Sequence, residues 1–241
     1  MKGIELAARF AFITNALRFC GPEEASSQFL NYFEKKDNEK QLEDSIRKFE
    51  GLYPYLGTIA EKAGKSLFDY SVVEAYWIGN SLLEKFERKD MESIIRKLMT
   101  RGLMKSMGER LIKDMPEGMF PHHNFNVMYV GVGNTSGKVE TNLNNMDNCR
   151  ISMGRVVEVL DDKLLVATKP LRFGNNKYYI GDEEIKTAVY NNIALEGVKK
   201  GNIVALHWGY ACVSLDEKQA NSLENYSMRI INIINQSLKD S

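Results

Sequence analysis

Through the first 115 positions, apolar residues recur every three or four places, the spacing of one face of a helix. Leu6, Phe10, Ile13 and Leu17 form the first such stripe, and Cys20-Gly21-Pro22 ends it. Pro22-Glu23-Glu24 opens a second helix with a proline and acids in its first turn, and Phe29, Tyr32 and Phe33 continue its apolar face. Asp37-Asn38 marks a break before a third stripe, Leu42, Ile46 and Phe49. The stretch from Asp69 to Phe86 predicts one long helix. Asp69 would cap it, and Val72, Val73, Tyr76, Trp77, Leu83 and Phe86 gather on one side. Two more helices are predicted around Met91–Thr100 and Leu103–Asp114.

From Phe120 the pattern changes to short apolar runs between turn residues. Val127-Met128-Tyr129-Val130-Gly131-Val132 reads as a strand that ends in Gly133-Asn134-Thr135-Ser136-Gly137. Gly154–Leu160, Lys163–Thr168, Tyr178–Ile180, Thr187–Tyr190 and Ile203–His207 are further strands, and Asp161-Asp162 makes a hairpin turn. A last helix starts at Asp216, with Ala220, Leu223, Tyr226, Ile230, Ile233 and Ile234 on its buried face. The predicted fold is α+β. An all-helical domain would occupy residues 1–118, and a small antiparallel β-barrel with a C-terminal helix residues 119–241. Pro116-Glu117-Gly118 is the expected boundary.

Composition narrows the function class. Lys+Arg and Asp+Glu both number 32, so the formal net charge is zero, and both halves are balanced. A nucleic-acid binder is not expected, because it needs a basic face. Three cysteines, Cys20, Cys149 and Cys212, are too few and scattered for a disulfide framework. No stretch reaches the roughly 18 apolar residues of a membrane span, and Glu5 interrupts any signal-like start. The expected setting is cytoplasmic, with reduced thiols and no membrane partner.

Two segments carry the candidate chemistry. Cys149-Arg150-Ile151-Ser152-Met153-Gly154-Arg155-Val156-Val157 places a cysteine five residues before a Gly-Arg-Val-Val strand. Gly201-Asn202-Ile203-Val204-Ala205-Leu206-His207-Trp208-Gly209-Tyr210-Ala211 is a glycine-led strand ending in a histidine. With the closing helix, residues 149–235 resemble the HypC/HupF family of [NiFe]-hydrogenase maturation chaperones. The whole chain is also similar to an uncharacterised bacterial and archaeal family that carries such a module behind a helical domain. The resemblance implies a non-enzymatic accessory protein with a HypC-like barrel. It would carry an iron species through Cys149, helped by His207, and work with a HypD-like scaffold and a hydrogenase large subunit. A thiolate and an imidazole suit iron. The family cysteine is N-terminal, whereas Cys149 is internal and would reach a partner only from an exposed loop, a setting that Asp147 and Asn148 suggest.

Each candidate also has a plainer reading. Cys149 could be a small buried residue, and His207 a structural histidine at a strand end. His122 and His123 would point to opposite faces of an extended segment, so that one of them could join Cys149 and His207 in a three- or four-ligand site. The plainer alternative is a surface loop in which one histidine caps a backbone group. Cys212 and the Tyr76-Trp77 pair read as core, and Cys20 as a helix end. Gly131 to Lys138 lacks the ending of a phosphate loop, since Val139 follows Lys138. Two rivals to the accessory role remain. One is a metal-dependent or thiol enzyme with His122, His123, Cys149 and His207 at the domain interface. The other is an interaction module without metal, for which Cys149 would be buried and more than about 10 Å from His207, since metal–ligand bonds are only about 2.0–2.3 Å long.

Overall fold

The first helix, α1 (Gly3–Ala16), is apolar almost all the way round, the composition of a helix surrounded by protein. In the computed structural model, which describes residues 1–239, Ile4, Leu6, Ala7, Ala8, Phe10 and Ala11 are all buried. Helices α2 (Ala25–Lys35), α3 (Glu39–Ile46), α4 (Tyr53–Ala63) and α5 (Tyr70–Trp77) follow; α2, α3 and α5 pack on α1, and α4 packs on α5. Then come α6 (Arg88–Met99) and α7 (Lys105–Lys113). The Asn15 side chain holds the turn after α1. Its amide donates to the carbonyls of Cys20 and Pro22 at 2.9 and 2.7 Å, and its oxygen accepts from Ser26 N–H at 2.7 Å.

Asp69 caps α5 as expected, accepting from Ser71 N–H at 2.9 Å. The helix does not run on to Phe86. It stops after Trp77, and a 3-10 turn over Ser81–Lys85 follows, capped by Asn80. Gly79 makes the break, with φ at +95° and no room for a side chain: a Cβ there would lie 2.2 Å from the Tyr226 ring. The C-terminal helix α10 (Glu217–Lys239) docks on this break. Ser222 donates to the Gly79 carbonyl at 2.7 Å and Tyr226 to that of Asn80 at 2.9 Å.

The expected strand at Val127–Val132 is not one. A short helix, α8 (His123–Phe125), continues into a π-helical turn over Asn126–Gly131. The run is buried at Val127, Met128 and Val130, and among the described residues no strand lies beside it. A short apolar run with no neighbour to pair with satisfies its own backbone best by coiling. Helix α9 (Leu143–Cys149) then leads into the sheet.

Five strands close into a ring in the order β1 (Ser152–Val159), β2 (Lys163–Thr168), β5 (Glu184–Val189), β7 (Tyr210–Leu215), β6 (Ile203–His207). The antiparallel expectation holds for every pair but one. Between β5 and β7 the contact is parallel and rests on a single pair, Val189 with Tyr210, so the ring is mixed rather than a regular barrel. The Asp161-Asp162 turn joins β1 to β2, with Leu160 N–H donating to the Lys163 carbonyl at 2.8 Å. The hairpin of β3 (Leu171–Gly174) and β4 (Lys177–Ile180) stands outside the ring as a separate two-stranded sheet. Val156, Leu164, Val166, Val204 and Leu206 fill the ring. A larger apolar core runs from α1 through the π-turn to α10. Among the described residues, no helix is long and apolar enough to cross a membrane.

Candidate metal centre

Three elements far apart in sequence bring three ligand atoms together. His207 is the last residue of β6. The two residues of its turn into β7, Trp208 and Gly209, have φ of +52° and +67°, the left-handed pair of a tight hairpin. Trp208 N–H donates to the Asn148 carbonyl at 2.6 Å, which pins that turn to the end of α9. Cys149 is the next residue after Asn148, and its Sγ lies 3.8 Å from His207 Nε2. His123 enters from the start of α8, with Nε2 at 3.7 Å from the same sulfur.

Asn124 secures this last approach. Its oxygen accepts from Ile151 N–H at 2.8 Å, and its amide donates to the Ile151 carbonyl and to Ser227 at 3.2 and 2.8 Å. One buried side chain thus joins α8, the chain leaving Cys149 and α10. His122 lies outside the cluster. It points the other way, and its Nδ1 accepts from Asn124 N–H at 3.1 Å as a helix cap. Cys212 is buried in β7, and Cys20 lines the edge of the same cavity as the cluster.

Cys149 is not on an exposed loop, as its polar neighbours had suggested. It is only 8% exposed. Asp147 turns from it to pair with Arg150 at 2.9 Å and Lys186 at 3.2 Å, and accepts from Leu171 N–H at 2.7 Å. The acid therefore ties α9 to β3 and β5 and advertises no accessible turn.

The three ligand atoms lie within 4.8 Å of one another, so this buried His-Cys-His group could hold a metal ion. The two sulfur–nitrogen separations, 3.7 and 3.8 Å, lie within about 0.2 Å of the roughly 3.6 Å edge of a tetrahedral site with bonds of about 2.3 and 2.0–2.1 Å. Trp77 walls the group, with its ring centre 4.5 Å from His123 and 5.6 Å from His207. On the remaining side lies a cavity of about 70 Å³.

The match that places the chain covers it from end to end. It belongs to a family of unknown function, DUF6390. That family's model matches residues 1–241. No curated protein and no solved structure matches the chain. Nothing in these comparisons supports the HypC resemblance of its C-terminal part.

In this DUF6390 chain the partners of each ring decide its proton position. His207 Nδ1 lies 3.0 Å from the Phe10 carbonyl, which can only accept, so Nδ1 carries the proton and Nε2 turns its lone pair toward the sulfur. Burial pushes the His207 pKa down to about 4. Burial, and then the neighbouring His207 and His122, holds His123 well below the ordinary range. Burial pushes the Cys149 thiol far up, with Cys20 adding to the effect, while the Trp208 indole N–H favours the thiolate. Without a metal the group is therefore neutral: one thiol and two imidazoles. A cation reverses this balance for the thiol, because binding requires the thiolate.

Tyr76 is suited to manage the proton of His123. Without metal, Nε2–H donates to the Cys149 carbonyl at 3.0 Å, and Nδ1 accepts from Tyr76 OH at 3.0 Å. With Nε2 given to a metal, the His123 ring proton would sit on Nδ1 and donate to the Tyr76 oxygen. The tyrosine hydroxyl is free to turn to the Gly51 carbonyl at 3.3 Å. Tyr76→Phe removes the acceptor, and metal affinity is expected to fall about 10–100-fold, as for other outer partners of ligating histidines. A competition titration against a chromophoric chelator reads this; an unchanged affinity would show that Tyr76 only packs.

Three contributors had no signature in the sequence: the Tyr76 hydroxyl, the Phe10 carbonyl and the Trp208 indole. Each acts across a contact between distant segments. The left-handed Trp208-Gly209 turn is the one feature that spacing alone hints at, as a glycine between two apolar strands.

Proposed function

We propose that this protein is a metal-dependent enzyme for a small molecule, with one ion held by His123, Cys149 and His207. The observation that carries the proposal is the layout. Three buried ligands converge on the wall of a cavity of about 70 Å³. Structural metal sites are closed by four protein ligands, whereas catalytic ones keep a position for water or substrate. One thiolate and two imidazoles suit zinc or ferrous iron. The ion would supply Lewis acidity at the open position. Around it, Trp77 excludes water, and the Phe10 carbonyl and Tyr76 orient the two imidazoles.

Iron carriage, with delivery to a hydrogenase large subunit beside a HypD-like scaffold, is the second reading. The five-residue step from Cys149 to Gly154 and the His207-Trp208-Gly209-Tyr210-Ala211 ending support it. It asks the thiol to reach a partner, and the 8% exposure of Cys149 weighs against that. An interaction module without metal would use the 3.8 Å approach of Cys149 to His207 only as a buried thiol–imidazole hydrogen bond, and it leaves the convergence of His123 on the same sulfur unused.

Anaerobic purification with metal analysis and infrared spectroscopy separates these readings. The enzyme reading expects about one zinc or iron ion per chain and no cyanide or carbonyl bands. Cyanide and carbonyl bands would favour the carrier. A protein that neither retains nor takes up zinc or ferrous iron would refute both.

A further inference from the structure

The cavity beside the candidate metal has an unusual lining. Among the described residues, no Asp, Glu, Lys or Arg contributes to it. Three of its residues, Trp77, Trp208 and Thr135, carry a buried polar atom with no hydrogen-bond partner: the two indole nitrogens and the threonine hydroxyl. Trp77 is 3% exposed and Thr135 8%. An indole N–H can only donate, and a hydroxyl can donate. Leaving such groups buried and unmet is costly, so a site that gathers three of them is built to receive an acceptor.

Charge points the same way. A divalent ion with one thiolate and two neutral imidazoles carries a net charge of plus one. No side chain lining the cavity among the described residues offsets it. A lone charge in a low-dielectric pocket is unfavourable, and a single negative charge at the open position cancels it. Size sets the last limit. The cavity, at about 70 Å³, has room for a few water-sized groups, each needing about 10–15 Å³ on this measure.

We propose that this cavity binds a small monoanion of a few heavy atoms, of the size of formate or acetate, with one end on the metal and its acceptor atoms on the Trp208 indole and the Thr135 hydroxyl. Trp208 stands on the metal side: its indole N–H lies close enough to the Cys149 sulfur to favour the thiolate, yet it meets no acceptor in good hydrogen-bond geometry. Its N–H is therefore placed to reach a ligand bound at the ion. The proposal rests on the metal reading above and adds the chemical class of the ligand.

The test uses the full chain loaded with Co²⁺, whose visible spectrum reports coordination. Formate, acetate and azide are titrated in, with acetamide as the neutral counterpart of acetate. The expected result is a saturable spectral change with the three anions and none with acetamide. Trp208→Phe and Thr135→Val should each weaken anion binding about tenfold or more, the effect of losing one buried hydrogen bond. Both should keep the thiolate-to-cobalt band, which shows that the centre is still assembled. A Co²⁺ protein with that band but no saturable response to any anion would overturn the ligand proposal and leave the metal centre standing. An equal response to acetamide would overturn the charge argument. Failure to bind Co²⁺ at all would remove both proposals.

Discussion

Cys149→Ser is expected to lower metal affinity about 10²–10³-fold. Complete four-ligand zinc sites are worth about 10–16 kcal/mol, so one ligand contributes about 3 kcal/mol, and each 1.4 kcal/mol is a factor of ten. Cys149 is also the one candidate ligand that brings negative charge, since His123 and His207 are both held neutral by burial. Serine keeps the size of the side chain, but its hydroxyl gives up a proton far less readily than a thiol. The buried thiol must itself lose a proton when the ion enters. Metal binding should therefore release close to one proton per ion near neutral pH, and affinity should rise about tenfold per pH unit there. A chelator competition at several pH values measures both. A serine variant within threefold of the parent protein would rule Cys149 out as a ligand.

Acid should unfold the metal-free protein well above pH 4. Burial holds His122 down to about 3 and His207 down to about 4, and holds His123 well below its ordinary value. In the unfolded chain each returns to about 6.5. Above that pH both states leave the three rings neutral, and the full stability is present. As pH falls below it, the unfolded chain takes up as many as three protons that the folded chain refuses. Stability then falls by up to about 4 kcal/mol per pH unit, and a typical margin of 5–15 kcal/mol is used up quickly. The loss continues until the folded values themselves are reached. Carboxylates act in a lower window. Burial opposes ionisation of Glu5 and Asp147, but Lys36 and Arg9 on the one, and Arg150 and Lys186 on the other, hold both below the usual range. Urea unfolding at half-unit steps from pH 7.5 to 4.5 tests this. A flat free energy across that window would mean that the histidines are charged or exposed in the folded state.

The strands that alternate or carry a β-branched run were readable from the chain. Lys163–Thr168 and Ile203–His207 begin and end where the pattern places them. The last helix also starts as its acid suggests, with Asp216 accepting from Gln219 N–H at 2.8 Å and the Gln219 side chain returning a contact at 3.2 Å. Three features were not readable, each for a physical reason. Helix α4 contains Pro54 and Gly57, which read locally as turn residues; Pro54 sits in the first turn, where a missing N–H costs nothing. Val127–Val132 and Tyr210–Leu215 are both continuous apolar runs; one coils and the other pairs, and only the neighbours decide which. Gly79 was hidden inside a convincing helical stripe because its role depends on Tyr226, far along the chain.

The candidate site divides in the same way. Cys149 and His207 stood out through the residues around them. Which of His122 and His123 would approach was open, because alternation on an extended segment says only that they diverge. The start of α8 between them decides it, making His122 a cap and turning His123 inward. Burial was one of two open readings for Cys149 and His207, because it comes from α1 and α5, where the Phe10 carbonyl and the Trp77 ring meet the imidazoles.

X-ray absorption at the metal edge of the protein, purified without oxygen, reads the ligand set of His123, Cys149 and His207 itself. The expected spectrum shows one sulfur at about 2.3 Å and at least two nitrogens at about 2.0–2.1 Å, with the sulfur lost in Cys149→Ser and one nitrogen lost in His207→Ala. A bound metal with no sulfur neighbour, or with a ligand shell that neither substitution changes, would contradict it.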